Sequence, residues 1–255
     1  MPNERLKDAL QAAGMTPEAL AEELEVDSKT VRRWISTSRT PYPRHRSSVA
    51  AMLDETEEYL WPNIDTAERQ AKVSQSEIIF TYPRRFQVPP DLWRRLFDNA
   101  TERISILVYA GLFLPEHDPD LIDALKRKAK AGTKITVLLG DPDCDAVAVR
   151  GREEGIGDAL AAKIRNVMSF YEKLKGTEGV FVGFHSATLY NSIYRCDDEM
   201  LVNTHVYGFP AAHAPVLHLR RLAGGTLFNS YADSFDRVWS ASRDAWTGEH
   251  GKVRS

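Results

Sequence analysis

The stretch LYNSIYRCDDEMLVNTHVYG, residues 189–208, gathers many of the side chains in this sequence whose types and spacing suit binding or bond chemistry. Tyr190, Asn191 and Ser192 open one strand-like run, and Asn203-x-His205-x-Tyr207 alternates along the next, which puts those three on one face of a strand. His185 ends the run before them, and Asp141 sits in the turn GDPD that follows another. Arg150 and Arg152 stand beside glycines in RGREEGIG, where two guanidinium groups could clamp an anion. All lie at or near strand ends, the usual place for a ligand cleft in an open α/β sheet. Plainer readings stand beside these: a strand histidine such as His205 is commonly hydrogen-bonded structure, Asp197-Asp198 reads as a hairpin turn, and RGREEGIG as a flexible loop.

A different chemistry is written near the start. Between Ser28 and Leu53 stand Lys29, Arg32, Arg33, Arg39, Arg44 and Arg46 and no acidic residue, in a chain of 255 residues whose net charge is −3. Positive charge gathered in this way matches the phosphate backbone of duplex DNA. Local patterns say what positions it. Leu6, Ala9, Leu10 and Ala13 form an amphipathic stripe ended by Gly14. Thr16-Pro17 is a cap with a first-turn proline and opens a second helix through Leu24. Asp27 caps a third, Ser28 to about Ser36, with Val31, Trp34 and Ile35 inward. Two short helices joined by a tight turn, the second one basic, make a helix-turn-helix pattern.

The run MTPEALAEELEVDSKTVRRWI followed by TSRTPYPRHR resembles the XRE (lambda-repressor-like) family of DNA-binding domains over about residues 3–60. That resemblance implies that Ser28, Lys29 and Arg33 face base edges in the major groove. It implies phosphate contacts for Thr16, Thr30, Arg39, Arg44 and Arg46, with Arg32 in the same DNA-binding set. Arg33 is the first candidate reader, since arginine makes bidentate bonds to guanine. One position departs from the family: Glu25 stands where the turn usually has glycine, at a cost of about 1 kcal/mol if left-handed.

Beyond residue 62 the pattern changes. Arg46–Tyr59 reads as one further helix and Asn63–Ser76 as a linker. Apolar strand-like runs at Ile78–Thr81, Ile104–Tyr109 and Ile135–Leu139 alternate with helical patterns at Pro90–Ala100 and Pro119–Ala131. A long helix, Gly157–Leu174, precedes strand-like runs at Val180–Phe184, Leu189–Tyr194, Met200–Val206 and Val216–Leu219, and Leu227–Ala241 closes on an amphipathic helix. Such alternation implies an α/β sheet with some parallel strands. The expected organisation is an all-α helix-turn-helix domain (1–62), a linker (63–76), an α/β domain (77–245) and a tail (246–255), a multidomain α+β fold.

This second domain resembles the phospholipase D superfamily, whose signature His-x-Lys-x4-Asp lies on a strand before a hairpin. Here Tyr190 occupies the His position, Ser192 the Lys position, and Asp197 is retained. The superfamily needs its His as nucleophile and its Lys to hold phosphate oxygens. A tyrosine with an ordinary pKa near 10 and an uncharged serine supply neither. His185 and His205 are followed two residues on by Ala187 and Tyr207, so neither restores the motif. The expectation is a catalytically silent domain with no catalytic residue.

The layout resembles actinobacterial XRE-type regulators with such a C-terminal domain of unknown function. It implies a sequence-specific transcriptional regulator whose C-terminal domain dimerises, senses a small ligand, or both. Asp141, Arg150, His185, Tyr190, Asn191, Ser192, Asn203, His205 and Tyr207 are the ligand candidates. Expected partners are a double-stranded operator, a second copy of the chain and a small molecule; no cofactor, metal or membrane is expected. The alternatives are a DNA-targeted phosphodiesterase or nuclease and an interaction module without ligand. With 43% hydrophobic and 9% aromatic residues the composition is globular. No apolar leader opens the sequence, and Cys144 and Cys196 are far apart with no metal-ligand spacing, so a cytoplasmic protein with reduced thiols is expected.

Overall fold

A computed structural model describes residues 2–37, 39–62, 73 and 75–248. The chain divides into two compact units, Met1–Val73 and Ser74–Ser255. The expected linker lies mostly outside the described residues, although 73 and 75–77 are helical.

The N-terminal unit is helical: α1 (Glu4–Ala12), α2 (Pro17–Glu23), α3 (Ser28–Ser36), α4 (Pro43–Met52) and α5 (Glu57–Leu60). Its starts follow the capping residues. The Thr16 hydroxyl accepts from Ala19 N at 3.1 Å and the Asp27 carboxylate from Lys29 N at 2.7 Å. Leu6, Leu10, Leu20, Val31, Trp34 and Val49 fill one core. Glu25 is left-handed, with φ 52°, in the turn between α2 and α3. The single helix expected over Arg46–Tyr59 is instead two. It breaks after Met52, where Asp54 turns left-handed at φ 51° and Thr56 caps α5 through Tyr59 N. The apolar spacing continued across the break; the two left-handed or capping residues inside it were the contrary signal.

The C-terminal unit is built on one mixed sheet. In chain order its elements are β1 (Ile78–Tyr82), a 3-10 turn at Arg85–Gln87, α6 (Pro90–Asn99), β2 (Arg103–Leu107), α7 (Phe113–His117), α8 (Leu121–Lys130) and β3 (Lys134–Gly140). Then come α9 (Asp145–Glu153), α10 (Ala159–Tyr171), β4 (Val180–His185), β5 (Asn191–Cys196), β6 (Glu199–Thr204), β7 (Val216–Arg220), α11 (Leu227–Ser240) and β8 (Arg243–Asp244). The strand order is β1-β7-β6-β5-β2-β3-β4-β8. β2, β3 and β4 are parallel, joined by helical crossovers, and β5, β6 and β7 add on antiparallel. Parallel strands covered on both faces read as near-continuous apolar runs, which is how β2 and β3 look in the sequence.

Two details fix the strand ends. Asp197, left-handed at φ 52° in the β5–β6 hairpin, accepts from the backbone N–H groups of Thr101, Glu102 and Arg103 at 2.7–3.0 Å. It therefore ties the hairpin to the start of β2. RGREEGIG, expected as a loop, is the end of α9 and its tight turn into α10. Gly151 carbonyl accepts from the N–H groups of Ile156 and Gly157, and a Cβ on Gly151 would lie 2.2 Å from Gly157 O. Glycine is required there by close approach, which serves packing.

Candidate functional site

In the N-terminal unit the basic residues separate into two groups. Lys29 and Arg33 on α3, and Arg39 and Arg44 beyond it, are exposed, and among the described residues none has a carboxylate partner. Ser28 and Thr30 are partly buried in the first turn of α3. Thr16 is exposed at the start of α2, its hydroxyl oxygen engaged as the cap. Arg32 and Arg46 are placed differently. Arg32 leans back onto α2 and grips Glu18 through Nε and Nη2 at 3.1 and 2.7 Å. That hydrogen bond holds the Glu18 carboxyl below its usual range. Arg46 is turned inward, 6% exposed, with Nε 3.0 Å from Glu57. It holds α4 to α5 and is not on the surface that carries the other cations, so its expected phosphate contact is corrected. Counting charges along the chain cannot show this, because Glu57 lies beyond the acid-free stretch.

In the C-terminal unit the expected ligand residues disperse. Tyr190 and Tyr207 are 80% exposed and line neither of the two cavities described below. Asn191 is half-buried at the start of β5. Asn203 is fully buried and donates to the carbonyls of Ala214 and Pro215, pinning the chain before β7. β6 ends at Thr204, so the alternation expected through Tyr207 does not persist and the three side chains do not share a pocket. Asp141 is held by Arg243 at 2.7 Å, closing the short edge strand β8. Arg150 is buried, bonded to Glu154 at 2.7 Å, near Glu153 at 3.5 Å, and donates to Phe209 O at 2.9 Å. Its charge is already balanced and its donors are in use, so it is no anion clamp; Arg152 is exposed two residues further along α9. His185 is buried, with Nε2 3.1 Å from Val108 O, and burial lowers its pKa.

Ser192 and His205 do come together, at a cavity of about 250 Å³. His205 Nδ1 is 3.1 Å from Leu189 O, which only accepts, so Nδ1 carries the proton and Nε2 accepts from the Ser192 hydroxyl at 3.0 Å. The ring stacks on Tyr109 at 5.7 Å, and the Tyr109 hydroxyl accepts from Leu189 N. A serine bonded to a histidine has the outline of a nucleophile and its base. The electrostatics oppose that use. Burial pushes His205 down to about 4, and Arg150 and Arg85 push the same way. No carboxylate orients the ring; a carbonyl does. A base this weak withdraws little from a serine hydroxyl at neutral pH.

The same cavity is lined by Arg85, Phe113, Lys163 and Tyr194, none of which sequence reasoning had picked out. Arg85 follows β1 in a 3-10 turn and Tyr194 stands two residues past Ser192 on β5; only the fold brings them together. Among the described residues no three His, Cys, Asp or Glu side chains gather as a metal site. No helix among them is long and apolar enough to cross a membrane.

No protein-family model matches the chain, and no curated protein matches its sequence. Among solved structures it is similar to TrmBL2, an archaeal chromatin protein whose structure shows a novel mode of DNA binding. The identity there is 12% and the TM-score 0.41, over 91% of this chain and 88% of that one. It is also similar to Nuc from Salmonella typhimurium, a phospholipase D family member, at 17% identity and a TM-score of 0.34, over 60% of this chain and 88% of that one. Likenesses at these scores decide neither fold nor function.

Proposed function

We propose that this chain is a sequence-specific DNA-binding transcriptional regulator of XRE type, whose C-terminal unit is catalytically silent and serves as a dimerisation and small-ligand module. One observation carries the reading: Lys29, Arg33, Arg39 and Arg44 are exposed on and just after α3, with no carboxylate partner among the described residues, within a stretch free of acid. Unpaired cations clustered at a capped helix meet phosphate at little desolvation cost, and their counterions are released on binding. Arg33, one turn into α3, is positioned to read a base; Arg39 and Arg44 then hold the backbone. Silence of the C-terminal unit is supported by Tyr190 and Ser192 at the superfamily's His and Lys positions and by the weak base at His205. Dimerisation is inferred from the helical unit itself, since a domain of this size binds one half-site weakly and regulators of this kind act in pairs.

The test is a set of DNA titrations at several salt concentrations on the full chain. Arg33→Ala should weaken the selected site by about 1–3 kcal/mol and relax preference at one base pair. Arg44→Ala should weaken all sequences alike and reduce the salt slope by about one. Two variants that bind as the parent does would end this reading. Light scattering on the full chain adds the oligomeric state, and a monomer would remove the dimer from it.

A further inference from the structure

Two adjoining cavities of the C-terminal unit share a wall. The polar one holds Ser192 and His205. The other, of about 340 Å³, is faced by Val88, Trp93, Phe97, Leu114 and Leu121. Arg85, Phe113 and Ala212 line both. The Arg85 guanidinium carbon sits 3.8 Å from the centre of the Phe113 ring. Stacking covers the flat face of a guanidinium and leaves its N–H edge for hydrogen bonding. That edge makes no ion pair among the described residues. Next to it the Tyr194 hydroxyl is buried, with Arg85 and Ser192 as its polar neighbours but no well-formed hydrogen bond to either. Trp93, Phe113 and Tyr194 meet edge-to-face at 4.9–5.8 Å, which holds the wall rigid.

A half-buried cation with no counter-ion and a buried hydroxyl without a well-formed hydrogen bond are both unfavourable. One anion placed between them relieves both. Among the described residues Arg85 is the one half-buried cation lining these cavities without a carboxylate: Arg150 is held by Glu153 and Glu154, Arg94 lies 4.0 Å from Asp118, and Arg94, His117, Lys163 and Glu116 are exposed at the rims. A single charge fits a carboxylate, whose two coplanar oxygens also match the guanidinium edge. The apolar cavity on the other side of Arg85 asks for a hydrocarbon body. We propose that the two cavities together bind a small monocarboxylate with an apolar body, its carboxylate on Arg85 and Tyr194 and its body against Trp93 and Phe97. This names the ligand class for the sensing module proposed above, and it rests on that reading.

The experiment is calorimetric titration of the full-length protein near neutral pH with hexanoate, hexanamide and acetate. Hexanoate should bind saturably. Hexanamide, lacking the charge, and acetate, lacking the body, should each bind at least about tenfold more weakly. Arg85→Met keeps the stem against Phe113 and should abolish hexanoate binding, and Tyr194→Phe should weaken it several-fold. Ala212→Phe, which places bulk at the shared wall while keeping both Arg85 and Tyr194, should abolish it as well and serves if Arg85→Met does not fold. No saturable heat from millimolar hexanoate, equal binding of hexanamide, or parental binding by Arg85→Met would each overturn the proposal. DNA titrations on the same ligand-free protein separate the failures: intact DNA binding without hexanoate binding removes this inference alone, and loss of DNA binding removes the regulator reading beneath it.

Discussion

Particular arginines in the two units are held in opposite ways. Among the described residues of the N-terminal unit, Arg33, Arg39 and Arg44 stand in solvent without carboxylate partners, whereas Arg32 and Arg46 are held by acids. In the C-terminal unit Arg150, Arg95, Arg221 and Arg243 are each paired with a carboxylate, and Arg85 is stacked on an aromatic ring. An exposed, unpaired cation is available to a large polyanion that arrives from solvent. A paired cation inside a sheet-based domain is part of the scaffold, and one left over inside a cavity selects something small. The same residue type therefore means different things, and its neighbours decide which.

This contrast can be broken by substitution. The largest effect should come from Arg150→Met, which strands the Glu154 carboxylate in a nearly closed site and releases Phe209 O. A loss of about 3 kcal/mol is expected in urea unfolding of the C-terminal unit. Arg33→Ala, measured alongside, should change stability by no more than about 0.5 kcal/mol. Equal effects at the two arginines would erase the distinction drawn here.

A second effect is pH-dependent. His205 has a folded pKa of about 4 against an ordinary 6.5, so the unfolded chain binds more protons between these values. Stability from its burial is complete above about pH 6.5 and is lost as pH falls toward 4, with an upper bound of roughly 3 kcal/mol. His185 and His218, also lowered by burial, act in the same direction. Unfolding of the C-terminal unit followed from pH 7 down to pH 4 should show a steep fall that His205→Gln makes shallower. Identical slopes for parent and variant would mean that His205 is not held neutral.

The smallest effect belongs to the N-terminal unit. Glu25 is left-handed, and Glu25→Gly should raise the stability of that unit by about 1 kcal/mol, read as a higher midpoint for the helical transition. A decrease would show that the glutamate side chain contributes more than its backbone strain removes.

Much of the local structure was legible because its causes are local. Thr16, Pro17 and Asp27 announce their helices by capping chemistry within three residues. β2 and β3 announce themselves as apolar runs because both faces are covered. RGREEGIG misled for the same reason: glycine reads as flexibility along the chain, whereas Gly151 is glycine because Gly157 O presses on it from six residues away. The break between α4 and α5 was hidden because apolar spacing carried through it.

The sequence by itself determined most helices and strands, the separation of a basic helical part from an α/β part, and the absence of a His-x-Lys pattern at residues 190–192. These depend on side-chain type, caps and short-range periodicity, which the chain states directly. Tertiary structure alone decided which charges are free. Arg46 meets Glu57 and Arg150 meets Glu154 and Phe209 O only once helices pack, while Tyr190 and Tyr207 turn out to solvent. It also decided the cavity, because Arg85, Phe113 and Tyr194 are separated by up to 109 positions and meet through the order β1-β7-β6-β5 and the turn after β1. Contacts between residues this distant are fixed by loop closure and burial across the whole domain, and no local pattern encodes them.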